Sequence, residues 1–120
     1  MPRMVVGEAR KPLTELSRGV VEHCVLALVR DDESYAFEIV RALGERGLVT
    51  SEGTIYPLLA RLRRDGLVET TWRESDAGPP RRYYRITAAG RHILDGFTSD
   101  WTTFSSAVDS LLADGERGGE

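Results

Sequence analysis

Cysteine is nearly absent from this 120-residue chain: Cys24 stands alone, so no internal disulfide can form. Such a composition fits a reducing cytoplasm. No apolar stretch approaches the ~20 residues that cross a bilayer, and the start, MPRMVVGEARK, lacks the basic-then-apolar pattern of a secretory signal. The expectation is a cytoplasmic protein without a membrane segment. Equally missing are a glycine-rich phosphate loop, a cysteine cluster and any His/Cys metal spacing. The two histidines, His23 and His92, are isolated, and no Ser/His/Asp set has local support. These gaps argue against an enzyme and against a metal or other cofactor. Length points the same way. One domain of this size buries roughly two-thirds of its unfolded surface, enough for a small core but not for a deep enclosed active site.

Positive charge is also in short supply: 16 Lys and Arg against 19 Asp and Glu leave a net −3. The distribution matters more than the total, because screening at physiological salt acts over ~8 Å. Between Ser51 and Arg91 lie eight arginines (61, 63, 64, 73, 81, 82, 85 and 91) and five acids (Glu52, Asp65, Glu69, Glu74 and Asp76), a local +3. The acidic excess belongs to the rest of the chain.

Residues 1–12 have no periodicity and read as a flexible arm. From Leu13 to Val29 the apolar residues Leu13, Leu16, Val20, Cys24, Val25 and Leu28 recur with a helical period, which makes Cys24 a small core residue. Ser34 is placed to cap a second helix, with Ala36, Ile39, Val40 and Leu43 on its buried face and Gly44 and Gly47 at its end.

Residues 51–94 carry the most information: SEGTIYPLLARLRRDGLVETTWRESDAGPPRRYYRITAAGRHIL. Ser51 or Thr54 starts a third helix whose buried stripe is Ile55, Leu58, Leu59 and Leu62, and Gly66 stops it. Pro57 removes a helical hydrogen bond. It requires either a start near Thr54, with the proline in the first turn, or a distorted helix. Leu67 to Trp72 and Arg82 to Ile86 read as two strands joined by a turn of several residues, SDAGPP. Helix, helix, helix, hairpin is the order of a winged helix-turn-helix, here over residues 13–86. The fold class is mainly α with a small β-hairpin.

Such a unit places its third helix in a DNA groove and its hairpin over nearby phosphates. Ser51, Gly53 and Thr54 offer helix-start amides to phosphate, and Gly53 allows close approach. Thr54 and Tyr56 suit groove contacts, while Arg61 and Arg64 suit phosphate or base edges. Pro57 belongs to the same DNA-facing surface. On the wing, Arg81 and Arg82 follow the stiff Pro79-Pro80 pair and Arg73 joins them from the first strand. Glu74 and Asp76 oppose DNA there, so the wing positions more than it reads. Tyr35 is placed either to touch phosphate or to pack in the core.

Thr87 is placed to cap a fourth helix over residues 87–113. Its large apolar residues, Leu94, Phe97, Trp101, Phe104, Val108 and Leu111, are spaced 3, 4, 3, 4, 3, the seam of a helix that packs on another helix. At 1.5 Å per residue the stretch to Leu112 is ~39 Å long, more than a small core covers. A second copy of the chain is the simplest cover for that seam. Phe97, Trp101 and Phe104 either pack in this dimer interface or line an effector pocket between subunits. The tail, residues 114–120, is polar, glycine-rich and expected to be disordered.

With these residues in view, the chain resembles the PadR family of bacterial transcriptional regulators, in its short single-domain branch. The likeness runs from about Leu13 to Leu94. It is carried by GTIYPLLARLRRDGLV, the GPPRRYYRIT wing and the TAAGR helix start. The chain departs from the family at its second helix, where Ser34 replaces the usual glycine before the tyrosine. The resemblance implies a winged helix-turn-helix followed by a long C-terminal helix, with dimerisation through that helix and the N-terminal one. It implies a repressor that blocks promoter DNA and is released by a small aromatic or amphipathic effector. The partner is then double-stranded, pseudo-palindromic DNA with half-sites roughly 10 bp apart or a multiple of that. The alternative is a winged-helix protein-interaction module without specific DNA binding. The arginines of the third helix and wing favour DNA.

Overall fold

A computed structural model describes residues 19–48 and 51–118. Along the described chain run α1 (Val21–Leu28), β1 (Ser34–Tyr35), α2 (Ala36–Glu45), α3 (Glu52–Arg64), β2 (Val68–Ser75), β3 (Gly78–Ile86) and α4 (Ala88–Gly118). The strands form one antiparallel sheet in the order β1-β3-β2. The core gathers apolar side chains from the four helices and the two long strands. Val25, Leu26 and Val29 come from α1 and its end, Ile39 and Leu43 from α2, Ile55, Leu59 and Leu62 from α3, and Val68, Tyr84 and Ile86 from the sheet. Each such side chain contributes about 1.5–3 kcal/mol relative to exposure. Leu58, the fourth member of the expected α3 stripe, is half-buried at the edge of this core.

The stretch from Leu13 to Val29 is not one unbroken helix. Helix α1 begins at Val21, and Gly19 just before it lies at φ +83°, outside helical space. Leu13 and Leu16, like the expected arm over residues 1–12, lie outside the described residues. Ser34 is not a helix cap. It pairs with Tyr84 in β1, and the N-cap of α2 is Tyr35, whose backbone N–H donates to Glu38 Oε1 at 3.2 Å. A residue able to cap a helix is equally able to sit in a strand, and the exposed side of β3 offered the partner.

Helix α3 starts at Glu52 with Ser51 as N-cap and continues through Pro57. Of the two expected starts, Ser51 and Thr54, the helix uses Ser51, and it carries Pro57 in its interior. Pro57 is exposed, as is Gly53, whose carbonyl loses its helical donor to the proline. Both residues lie on the exposed side of the helix, where water can take the lost donor's place and keep the cost low. At its other end Leu67 N–H donates to Leu62 O at 2.9 Å and Gly66 N–H to Arg63 O at 3.0 Å, with Gly66 at φ +77°. This paired closure uses the left-handed conformation that glycine adopts without strain.

The hairpin is longer and its turn tighter than expected. Ser75 pairs with Gly78, so Asp76 and Ala77 alone form the turn, and Pro79 and Pro80 belong to β3. Arg73 pairs with Arg81, which leaves Glu74 facing both prolines in a bulge. Prolines fit there because the bulge relieves the ladder of donors.

Thr87 joins the hairpin to α4. Its Oγ1 accepts from Gly90 N–H at 3.0 Å and donates to Gly66 O at 2.7 Å. Helix α4 runs 31 residues, to Gly118. The tail expected to be disordered from Asp114 is thus helical as far as residue 118. Each added residue brings one backbone hydrogen bond, and a glycine costs only about 1 kcal/mol against alanine.

Candidate nucleic-acid interface

Burying Ile55, Leu59 and Leu62 fixes which residues of α3 face outward. Gly53, Pro57, Ala60 and Arg64, spaced 4, 3, 4, form the outermost ridge, and all four are exposed. Tyr56 and Arg63 stand on one flank, seven residues apart, and both are exposed. Thr54 and Arg61 stand on the other. Ser51 Oγ lies 3.2 Å from Thr54 Oγ1, so the two hydroxyls fix each other at the helix start. The start itself presents free amides beside Gly53, and the last turn concentrates Arg61, Arg63 and Arg64. The surface is thus small and amide-lined at one end, and cationic at the other.

Arg61 does not extend freely into solvent. Its Nη2 donates to Glu22 Oε1 of α1, and both side chains are partly buried. Arg64 lies only loosely beside Asp65, at 3.9 Å, and stays exposed. The two arginines expected to act together are therefore in different electrostatic situations.

On the sheet the alternation of strand side chains divides the wing into two faces. The inner face continues the core through Val68, Tyr84 and Ile86 and ends in Trp72 and Arg82. There the guanidinium lies 4.8 Å from the indole centroid. Arg82 Nε is buried without a hydrogen-bond partner among the described residues. The outer face carries Arg73 4.1 Å over the ring of Tyr83 and Arg81 4.5 Å over the ring of Tyr35, with the two tyrosines edge to face at 5.4 Å. Arg73 also pairs with Glu33. Arg73, Arg81 and Arg82 therefore each rest on an aromatic ring, whereas Arg85 donates to Glu69 Oε2 at 2.7 Å and Arg73 is met by a carboxylate as well. An aromatic platform holds a guanidinium in place without removing its charge, worth about 0.5–1 kcal/mol at exposed sites. Tyr35 serves as such a platform and also packs on Phe37, ring centroids 6.4 Å apart.

The seam expected on α4 divides. Leu94 is 4% exposed and belongs to the domain's own core, so it is not free for a second subunit. Phe97 stacks on His23 of α1, centroids 4.0 Å apart and ring planes nearly parallel. Beyond it the helix leaves the domain. Phe104 is 62% exposed and Leu111 70%, and Trp101, Val108 and Leu112 are also uncovered. Phe97, Trp101 and Phe104 follow one another at 6.0 and 6.2 Å.

Sequence reasoning passed over Glu22 and left His23 as an isolated histidine. Neither the Glu22–Arg61 pair nor the His23–Phe97 stack has a local signal, because each joins residues far apart in the chain. Cys24 is half-buried against the core, and burial pushes its thiol pKa up.

Comparison with known proteins places this architecture. The sequence matches the transcriptional regulator PadR-like family over residues 25–95. The chain belongs to the PadR-like family of transcriptional regulators. A PadR-like regulator of Bacillus cereus is 38% identical, with 82% of this chain and 96% of that one aligned and a TM-score of 0.76. One from Eggerthella lenta is 31% identical over 87% and 91% of the two chains, TM-score 0.76. A transcriptional regulator of Mycobacterium tuberculosis is 38% identical over 82 residues, 68% of this chain and 76% of that one. The PadR-like chain is therefore a winged-helix regulator and not an enzyme. Among its described residues no helix is long and apolar enough to cross a membrane.

Proposed function

We propose that this PadR-like protein is a cytoplasmic homodimer that represses transcription by occupying a pseudo-palindromic promoter site. The observation that carries the reading is the contrast between the two ends of the molecule. One end presents the outward ridge of α3 and the arginines of the wing. The other presents a run of large apolar side chains, Trp101 to Leu112, that nothing in the described chain covers. Burial of such residues against a second copy would contribute about 1.5–3 kcal/mol each, and two-fold pairing would set two α3 helices side by side for successive major grooves.

In this reading Ser51, Gly53 and Thr54 offer amides and hydroxyls to phosphate. Tyr56 enters the groove beside Pro57, and Arg64 binds phosphate or guanine. Arg73, Arg81 and Arg82 steer the wing along the backbone. The aromatic series Phe97, Trp101 and Phe104, extended by His23, suits a flat effector that slips between subunits and changes the angle of the two DNA-binding units. The test is a gel shift on the protein's own upstream region. Tyr56→Ala and Arg64→Ala should each weaken binding while sedimentation still reports a dimer. Unchanged affinity in both variants would reject the assignment of this helix to the groove.

A further inference from the structure

Helix α1 lies between the recognition helix and α4, and two adjacent residues on it reach in different directions. Neighbours in a helix point about 100° apart, so Glu22 and His23 serve different partners. Glu22 Oε1 accepts from Arg61 Nη2 of α3. Its second oxygen lies 3.8 Å from His23 Nε2, and the His23 ring stacks on Phe97 of α4 at 4.0 Å. Among the described residues, Arg61, Glu22, His23 and Phe97 thus form one continuous line of polar and ring contacts. It runs from the DNA-facing helix to the root of the exposed seam.

We propose that Glu22 is a positioning residue for operator binding, with Arg61 as its brace, so that the pair sets the angle of α3 to α4 and hence the distance between the two recognition helices of the dimer. This rests on the reading above of a dimer on a symmetric site. It assigns Arg61 a different task from Arg64: Arg61 neutralises Glu22 and leaves phosphate to its neighbours. Position favours this. Arg61 sits on the flank of α3 that faces α1, while Arg64 stands on the outer ridge. Coupling along this line is read by perturbing one end and measuring at the other.

The experiment measures binding of the full chain to a set of duplexes whose half-site spacing differs by one base pair, over a series of salt concentrations. Glu22→Gln and Arg61→Ala should each lower affinity for the best-spaced duplex, by roughly two- to thirtyfold. Both should flatten the preference for that spacing. Neither should change the slope of log K against log salt, because in neither variant is a phosphate left unneutralised. The charge-exchanged double variant, Glu22→Arg with Arg61→Glu, should recover spacing preference and affinity. Arg61→Lys, which keeps a donor for Glu22, should resemble the parent. A fall in slope of about 0.9 per protomer in Arg61→Ala would make Arg61 a phosphate ligand and overturn the proposal. Failure of the exchanged pair to recover would do the same. If the unaltered protein binds no duplex, the operator reading falls first and the brace with it. If it binds and the single variants behave like it, the brace alone is wrong.

Discussion

Gly90 shows how one position can fix the join between two elements. A Cβ built there would collide with the Leu67 carbonyl oxygen and lie 2.7 Å from Ile86 Cγ1. The helix of α4 therefore lies on the hairpin at a separation that excludes any side chain, and a backbone oxygen cannot swing aside. Gly90→Ala is expected to cost at least about 2 kcal/mol, at the upper end of overpacking effects, read as a lower midpoint in urea unfolding; a shift below about 0.5 kcal/mol would contradict the close approach. Thr87, three residues earlier, holds the same corner through two hydrogen bonds, and its replacement by Ala should cost about 1 kcal/mol. Cys24 gives a prediction in pH. Burial raises its folded pKa above the ordinary 9.0, so the unfolded chain releases its thiol proton first. Stability owed to this group is intact below the ordinary value and falls as pH rises from there through the folded value. Cys24→Ser should remove that part of the alkaline decline, and thiol alkylation in the native state should be slower than in urea.

Among elements, the wing and α3 differ in how they hold their charge. Arg73, Arg81 and Arg82 of the wing lean on Tyr83, Tyr35 and Trp72, so they are presented with few rotamers to lose. Replacing Arg81 and Arg82 together by Ala should reduce the salt slope of DNA binding by about 0.9 for each phosphate that a protomer no longer neutralises. An unchanged slope would remove the wing from the interface. On α3 the buried triad Ile55, Leu59 and Leu62 orients the outer ridge. Leu59→Ala should cost about 2–5 kcal/mol by leaving a cavity, and the fall in stability should precede any fall in DNA affinity.

At the scale of the molecule, α4 governs. Its first turns, to Leu94 and Phe97, are anchored by the domain, whereas Trp101 to Leu112 project as an uncovered apolar run. Leu111→Asp introduces a charge at the most exposed position of that run. It should shift sedimentation from dimer toward monomer and weaken operator binding steeply, while each domain keeps its helical signal. A dimer that survives this change would relocate the interface. With Trp72 replaced by Phe, titration with planar aromatic compounds should alter Trp101 fluorescence over the concentrations that release DNA. A silent Trp101 under those conditions would dismiss the effector reading.

Much of this was legible in the amino-acid order because it depends on local rules. The stripe Ile55, Leu59, Leu62 follows from helical period, the stop at Gly66 from its freedom in φ, the cap at Thr87 from a hydroxyl before a helix, and the hairpin from β-branched runs around turn residues. Local rules stop where a residue has two acceptable local fates and a distant partner chooses between them. Ser34 is a good cap, yet it became a strand because β3 had an open side. Pro57 lies inside α3 because it and Gly53 both lie on the exposed side of the helix. Leu94 matches the spacing of an intersubunit seam, yet the domain's own core took it, since a helix is buried at its root before it reaches a partner. Arg61 and Arg64 look alike as letters. Only packing brought Glu22 of α1 beside one and left the other on the outer ridge, because the approach of two helices is decided by all their buried side chains at once.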